Sequence, residues 1–304
     1  MATTVLGLKT FAAADPVDYN EVNDNYNKID NGVKTAMQGR AAQNLLDNSW
    51  FVNPINQRGA TSYSSQGYSI DRWKSEIAAG TSFSISVSSG KLIISKSGGV
   101  FRFYQILNND MLGKTVTYAV KTSDGIFSGT CVVSNTINNV RIGSHNAYLS
   151  VYISDSGKTI FSIFFNDSSD DTIEIYCAAL YEGSYDASTL PAYQPKGYAA
   201  ELAECMRYYQ QYNTNGMSAV GNSESGITYI RCPLQVPMRT APSLVQSSVE
   251  MWITYSSTTN KTEVFTFYAS NPQCVHLKCI SSTGSAYQLV IATNNAAMAF
   301  SADL

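Results

Sequence analysis

The stretch TSFSISVS, residues 81–88, decides the fold class of this chain. Its apolar side chains, Phe83, Ile85 and Val87, alternate with serines, so they share one face of an extended backbone. Alternation with a period of two is typical of a strand that buries one face in a core and leaves the other face in water. The stretch therefore predicts a half-buried strand of an antiparallel sheet.

Similar runs continue as far as residue 180, and turns rich in Gly, Asn, Ser and Asp separate them. These runs are KLIIS, VFRFYQIL, TVTYAV, GTCVV, YLSVYI, TIFSIFF and TIEIYCAAL. About eight short strands with no long helix between them are typical of a two-layered antiparallel structure. The first block is therefore predicted to be a β-sandwich of jelly-roll type.

A Pro-containing connection at residues 190–195 leads into a second block. Apolar residues at helical spacing predict a helix from Tyr198 to Tyr212, and the alternating runs after it predict a second antiparallel β-sandwich. The fold class expected is thus mainly β, with a short coiled-coil-like helix ahead of two sandwich domains. The expected domains are an N-terminal helical segment over 1–43, a jelly roll over 44–196, and a C-terminal β-sandwich domain over 197–304 that opens with a helix.

An apolar seam marks the segment that precedes the strands. Its residues are spaced 3-4-3-4 and are Tyr19, Val22, Tyr26, Ile29 and Val33. Asp15 and Pro16 are typical of a helix start and Gly39 of a helix end, so the seam lies on one predicted helix. Because the chain offers no helical partner for it, the seam favours association with other copies of the chain. β-Branched Val22 and Ile29 at the d positions favour a trimer or tetramer over a dimer, and packing of the helix on its own β domain is the alternative.

Composition narrows the classes of function. Charged residues make up 14% of the 304, the net charge is −3, and Lys and Arg never cluster, so nucleic acid is not an expected partner. No apolar run approaches the roughly 20 residues of a membrane span, and the start MATTVLGLKTF lacks the regions of a signal peptide. Neither membrane insertion nor signal-directed secretion is therefore expected. The six cysteines include no C-x-x-C and are expected to be reduced core residues.

The densest acidic group lies in NDSSDDTIE, which reads as a turn that enters a strand, and it includes Asp167, Asp170 and Asp171. A solvated turn is the first interpretation. A Ca²⁺ site is the second, because such a loop offers several oxygen ligands, and a glycosidase pair is the third. His145 and His276 fall in different blocks, and GNSESG lacks the spacing of a nucleophile elbow. No catalytic constellation is found, so no enzyme activity is expected.

A binding function suits the composition better, because 20 tyrosines accompany many Ser, Thr and Asn residues. A sugar site pairs an exposed aromatic ring, which stacks on the CH face, with polar groups that bind the hydroxyl rim. Trp252, Tyr255 and Tyr268 lie near strand ends that flank two polar turns of the second block, so these three residues are the first candidate sugar-binding surface. Trp73, by contrast, is expected to anchor the core of the first block.

Longer phrases of the sequence carry a family resemblance. LGLKTF…DPVDYNEVNDNYNKID is similar to the amino-terminal anchor of bacteriophage and prophage tail proteins, and NLLDNSWFVNPINQRGATSY…YSIDRW resembles the opening of the carbohydrate-binding-module-like jelly roll that follows it there. LYEGSYDASTLPAYQP, ELAECMRYYQQY and VPMRTAPSL resemble the carboxy-terminal head module of such proteins. Together the phrases span nearly the whole chain in the same order.

This resemblance implies a tail fibre or receptor-binding protein, usually a homotrimer, that attaches a virion to a bacterial surface. The expected location is the virion tail, assembled in the cytoplasm of the bacterial host, and the expected partners are surface polysaccharide and other tail or baseplate proteins. Two alternatives stay open. One is a polysaccharide depolymerase whose carboxylates meet between subunits, and the other is a structural tail or baseplate component without receptor contact.

Overall fold

A computed structural model describes residues 18, 20, 22–29, 43–108, 110–213, 217–224, 227–245, 249–255, 259–280, 288–292 and 297–302. Strands dominate these residues, and every strand pairing is antiparallel, so the predicted mainly β, antiparallel class is confirmed. Helix α1 covers residues 22–29, and helix α2 covers Tyr198–Met206.

The first block is a two-layered sandwich. Its strands are β1 (Ser62–Tyr63), β2 (Gly67–Tyr68), β3 (Lys74–Ile77), β4 (Ser82–Ser88), β5 (Lys91–Ser97), β6 (Phe101–Ile106), β7 (Thr115–Thr122), β8 (Gly125–Val132), β9 (Asn138–Arg141), β10 (Ala147–Ile153), β11 (Thr159–Phe165) and β12 (Asp171–Glu182). Sheet 1 has the order β1-β4-β5-β12-β7-β8, and sheet 2 has the order β2-β3-β6-β11-β10-β9. Residues 82–88 of the stretch TSFSISVS form β4, in which Phe83 and Ile85 are buried as predicted and Val87 is half-buried. The jelly-roll type stays a prediction.

An aromatic cluster fills the space between the two sheets. The Trp73 side chain is fully buried, and its ring centroid lies 5.2 Å from that of Phe51, 4.8 Å from Phe103 and 5.9 Å from Phe161. The indole Nε1 donates a 2.9 Å hydrogen bond to the carbonyl oxygen of Asn48, which satisfies the one polar atom of the side chain. Trp73 is thus the core anchor that the sequence predicts.

The second block differs from the predicted second sandwich. Its strands are β13 (Tyr209–Asn213), β14 (Met217–Glu224), β15 (Ile227–Pro233), β16 (Ser243–Leu244), β17 (Val249–Tyr255), β18 (Thr259–Asn271), β19 (Cys274–Ile280), β20 (Gln288–Ala292) and β21 (Ala297–Ser301). Strands β14-β15-β19-β18-β17-β20 close into a barrel, and β13-β21-β16 form a small sheet beside it. Alternation cannot separate the two architectures, since barrels and sandwiches both bury every second side chain.

The predicted helix from Tyr198 to Tyr212 is also shorter in the structure. Helix α2 ends at Met206, and Tyr209–Asn213 is strand β13, which pairs with β21 through contacts such as Tyr209 opposite Ser301. Tyr212 is buried against Phe300, with ring centroids 5.7 Å apart. Pairing with a strand from the end of the chain therefore overrides the local helical spacing.

Aromatic and cationic side chains join the two blocks. The Arg72 guanidinium carbon lies 3.5 Å from the ring centroid of Tyr208, and that of Arg58 lies 3.9 Å from the ring centroid of Tyr209. The side-chain amide of Gln57 also donates a 2.8 Å hydrogen bond to the Tyr209 carbonyl oxygen. Cation–π contacts of this kind are strongest where water is excluded, and Arg72 is 2% exposed. These contacts fix the start of β13 against the sandwich.

Helix α1 is described over part of its predicted length. Asp18 is not helical, and its side-chain oxygen accepts a 2.9 Å hydrogen bond from the Asn20 amide, which is the contact of a helix N-cap. The helix therefore begins after Asp18, and the predicted start at Asp15 and Pro16 is wrong. Within one chain Tyr26 is 66% exposed and Ile29 is 41% exposed. The seam residue Val22 is half-buried. Tyr19 and Val33, together with Asp15, Pro16 and Gly39, lie outside the described residues. The predicted trimer interface therefore stays a prediction.

Over the part of the chain that the structure describes, no helix combines the length and the apolar character needed to cross a membrane.

Candidate functional site

A β-bulge on the barrel presents Tyr268 to solvent. Along β18 and β19, Phe267 lies opposite Leu277 and Ala269 lies opposite His276, so Tyr268 is the extra residue between two regular pairs. Bulges re-aim side chains and are common beside functional sites. The Tyr268 side chain is 52% exposed, and that of its neighbour Phe267 is 40% exposed.

Two neighbours complete an exposed aromatic surface around this bulge. The Tyr229 ring on β15 meets the Tyr268 ring edge to face, with centroids 5.1 Å apart and an interplanar angle of 61°. The Lys278 ammonium on β19 lies 5.3 Å from the Tyr268 ring centroid, and Lys278 is opposite Tyr229 in the ladder. We call Tyr229, Tyr268 and Lys278 the Tyr268 platform. It combines a half-exposed aromatic ring with a cation over one face of that ring.

The structure does not bring the three predicted aromatic residues together. Trp252 lies opposite Thr262, in the middle of β17, and Tyr255 lies opposite Thr259, at its end. Tyr268 lies six residues beyond Thr262 on β18, about 20 Å along an extended strand. One of the two polar turns that suggested a common surface precedes β18 and the other follows it, so the turns lie at opposite ends of this strand. The side chains of Trp252 and Tyr255 lie outside the described residues, so Tyr268 is the predicted residue whose surroundings can be described.

The predicted calcium ligands have separate partners. The Lys96 ammonium donates to the Asp167 carbonyl oxygen at 2.6 Å and lies 3.3 Å from its Oδ1. Hydrogen bonds from Ser169, and then those from Lys96, hold the pKa of the Asp167 carboxyl below its usual value.

Asp171 binds on another side of this turn, where its Oδ1 lies 2.8 Å from His145 Nδ1 and its Oδ2 accepts the Asn146 amide at 2.9 Å. Asp170 borders an open groove lined largely by serines, between β4, β5 and the start of β12. Among the described residues, Asp167, Asp170 and Asp171 do not form a carboxylate group with the spacing of a metal site. The calcium site stays a prediction without a converging ligand set.

One acidic group does converge, at the junction of the two blocks. Single carboxylate oxygens of Asp47, Glu201 and Glu204 lie within 4.8 Å of one another. The Lys196 ammonium occupies this group, at 3.6 Å from Asp47 Oδ1 and in contact with Glu204 Oε2. Glu201 is buried and accepts a hydrogen bond from the Asn48 amide, and its burial raises the pKa of its carboxyl. The Lys196 ammonium offsets part of the negative charge, and the contacts of Lys196 and Asn48 with this group join α2 to the first block.

The cysteines lack the surroundings of catalytic thiols. All six are free, and five of them are buried as predicted, whereas Cys131 is half-buried. Burial raises the pKa of Cys177 to about 11 and that of Cys232 to about 12, so both are thiols at neutral pH. A neutral, buried thiol is a poor nucleophile.

No protein-family model matches this chain, and no curated protein is significantly similar to it. The function is therefore argued from the residues and their geometry. Sequence analysis identified Tyr268 from its place beside a turn, and it missed Tyr229 and Lys278. The signal that could have located the platform is the break in alternation at Phe267 and Tyr268, where two aromatic residues are adjacent in a strand that otherwise alternates.

Proposed function

We propose that this protein is a non-catalytic receptor-binding protein of a bacteriophage or prophage tail, which attaches the virion to glycans on the bacterial surface. The ordered sequence phrases that resemble tail proteins support this proposal, and so does the antiparallel β architecture. The observation that carries it is the Tyr268 platform. An aromatic ring held half in water on a rigid barrel is the feature that sugar recognition needs.

The chemistry of the platform suits a sugar ring. The exposed Tyr268 face can cover the apolar CH face of a pyranose, while the Lys278 ammonium can donate to hydroxyl oxygens at its rim. Tyr229 fixes the tilt of the Tyr268 ring by its edge-to-face contact. One such open site binds weakly. In the proposed homotrimer three equivalent sites would act together, because the second and third contacts become effectively intramolecular.

The test is binding of the fluorescently labelled full chain to a panel of bacterial strains and to their purified surface polysaccharides. Tyr268→Ala should lower the apparent affinity at least about tenfold, because the loss at each site is multiplied by avidity. Tyr268→Trp should keep binding, since the indole also stacks. Tyr198→Ala is the matched control, because Tyr198 is similarly exposed, at 57%, and lies at the start of α2.

Two results would contradict the proposal. Equal binding by Tyr268→Ala and Tyr198→Ala would remove the platform from receptor recognition. Absence of staining on every susceptible strain would favour a structural tail component. The non-catalytic part has its own assay, in which the protein is incubated with the bound polysaccharide and new reducing ends are measured. Their release would establish a depolymerase instead.

A further inference from the structure

A strap of chain covers the outer face of sheet 1. We call residues 183–193, which follow β12, the strap. At its start the Thr117 hydroxyl donates to the Gly183 carbonyl oxygen at 2.9 Å and accepts the Tyr185 amide at 2.9 Å. At its end the Tyr193 ring stacks on the Trp50 ring, with centroids 5.2 Å apart and planes 14° apart. The strap is therefore fixed to the sandwich at both ends.

Beneath the strap the outer face of sheet 1 is recessed, because small side chains lie side by side there on three adjacent strands. Ala179 on β12 lies opposite Ala119 on β7, which lies opposite Ser128 on β8. The neighbouring row on one side carries Cys177, Lys121 and Ile126, and the row on the other side begins with Tyr181. Larger side chains thus flank a trough, and the strap roofs it.

The trough and the strap enclose a cavity of about 430 Å³, which we call the strap pocket. This volume lies within the range of roughly 300–1,000 Å³ that is usual for small-molecule sites. Residues that define its walls and floor are Trp50, Ala119, Ala179, Tyr181, Leu190 and Tyr193. The walls are rigid, because the Tyr193 hydroxyl lies 3.0 Å from Ser49 Oγ and Tyr181 meets Tyr185 edge to face at 6.1 Å.

The charged side chains that line the strap pocket indicate which class of ligand it could bind. Among the described residues that line the strap pocket, Lys121 is the one cation, and no carboxylate is present. Lys121 is exposed, so its ammonium stays hydrated when the pocket is empty and can reach a ligand at the mouth of the pocket. A flat apolar body fits between the aromatic walls, and a negative group fits beside Lys121.

We propose that the strap pocket is a binding site for a monosaccharide-sized ring that carries a carboxylate. The ring lies over the Ala119 and Ala179 floor between the aromatic walls, and the carboxylate pairs with Lys121. Such a ligand can come from two sources, a hexuronate unit of a glycan or a free aryl carboxylate. The site lies on the sandwich and does not depend on the Tyr268 platform, so either proposal can fail alone.

The experiment measures ligand binding to the full chain by saturation-transfer NMR and calorimetry. The probes are sodium glucuronate and sodium benzoate, each with its neutral counterpart, glucose and benzyl alcohol. We expect at least one anion to bind about tenfold or more tightly than its neutral counterpart. Glucuronate as the tighter anion assigns the site to glycans, and benzoate as the tighter anion assigns it to aryl carboxylates.

Three variants make the test specific. Ala119→Leu fills the floor and should abolish binding of the anion, whereas Ser86→Leu, on the outer face of the same sheet at β4, should bind as the wild type does. Lys121→Gln should reduce the preference for the anion to below about threefold while the neutral probe is unaffected. If Ala119→Leu does not fold, as judged by circular dichroism, Ala179→Leu and Lys121→Gln decide. Unchanged anion affinity in the folded variants, or no binding of either anion to the wild type, would overturn the proposal.

Discussion

At the scale of single residues, buried charges hold the two blocks together. Asp71 is fully buried, and its carboxylate accepts from the Gln57 amide at 2.7 Å and from the Arg58 guanidinium at 3.0 Å. Arg72 adopts a φ of 72°, a region that costs a non-glycine residue about 1–2 kcal/mol. Its pairing with Asp47 at 3.0 Å and its stacking on Tyr208 offset this cost. The strained backbone of Arg72 thus accompanies the placement of its guanidinium against Tyr208, at the junction of the two blocks.

Glu201 makes the stability of this junction depend on pH. Burial raises the pKa of its carboxyl above the ordinary value of 4.5, so the fold favours the protonated form. The stabilising contribution is therefore fully present below pH 4.5 and is lost as the pH rises through the folded-state pKa. Glu201→Gln removes this titration. We expect the free energy of unfolding of the variant to rise relative to the wild type as the pH increases from 4 to 8, measured by urea denaturation.

An exposed carboxylate supplies the control for that experiment. Glu182 pairs with Lys114 at 3.2 Å, and both side chains are about half exposed, so Glu182→Gln should shift stability little at any pH. A constant difference between wild type and Glu201→Gln across the pH range would show that Glu201 does not titrate with a raised pKa. Comparing Glu201→Gln with Glu182→Gln thus separates the effect of burying a carboxyl group from the effect of removing a negative charge.

At the scale of secondary-structure elements, the turn between β5 and β6 requires glycine for two separate reasons. Gly98 has a φ of 76°, and a Cβ there would lie 2.5 Å from the Gly80 carbonyl oxygen. Gly113, between β6 and β7, provides the comparison, because it has the same φ of 76° but a Cβ there meets nothing within 4 Å. Gly113→Ala should cost about 1–2 kcal/mol for the backbone alone. Gly98→Ala should cost about 1–3 kcal/mol more, the usual range for overpacking, in chemical denaturation. Equal losses of stability in Gly98→Ala and Gly113→Ala would contradict the close approach of Gly98 to the Gly80 carbonyl oxygen.

Elements were predictable where a local pattern suffices. Alternation in TSFSISVS identified β4 and the buried positions Phe83 and Ile85, because a strand with one dry face needs that period. The end of α2 was not predictable, because β13 forms by pairing with β21, nearly 90 residues later. The strap pocket was equally hidden. Its floor depends on the registers that align Ala179, Ala119 and Ser128, and no local pattern encodes a register.

At the scale of the whole molecule, closure of the barrel depends on contacts that are remote in sequence. Met217 on β14 lies opposite Ala292 on β20, and Trp252 on β17 lies opposite Ile291 on the same strand. Strand β20 thus closes the barrel by joining its first strand to β17. A two-layered sandwich and a closed barrel bury the same alternate residues, so only these distant pairings distinguish them. Tyr268 lies three residues beyond Phe265, where the ladder between β17 and β18 ends, so its segment of β18 pairs with β19 alone.

The oligomeric state is the last prediction, and it follows from the apolar residues that α1 exposes in one chain. Tyr26 and Ile29 present large apolar surfaces on a helix that has many asparagines, and such a helix needs a partner to be stable. We expect size exclusion with light scattering to give about three times the 33.1 kDa of one chain. Ile29→Asp should dissociate at a protein concentration at least about tenfold higher than the wild type, because each chain buries a charge in the seam.

Asn27→Asp is the matched control, since it adds the same charge at an exposed position of α1 outside the seam. It should dissociate as the wild type does. Equal dissociation of Ile29→Asp and Asn27→Asp would place the subunit contacts in the β domains instead of the helix. A wild-type chain that is monomeric at micromolar concentration would contradict the trimer itself, and with it the avidity that a weak, open site such as the Tyr268 platform requires to hold a virion on a cell.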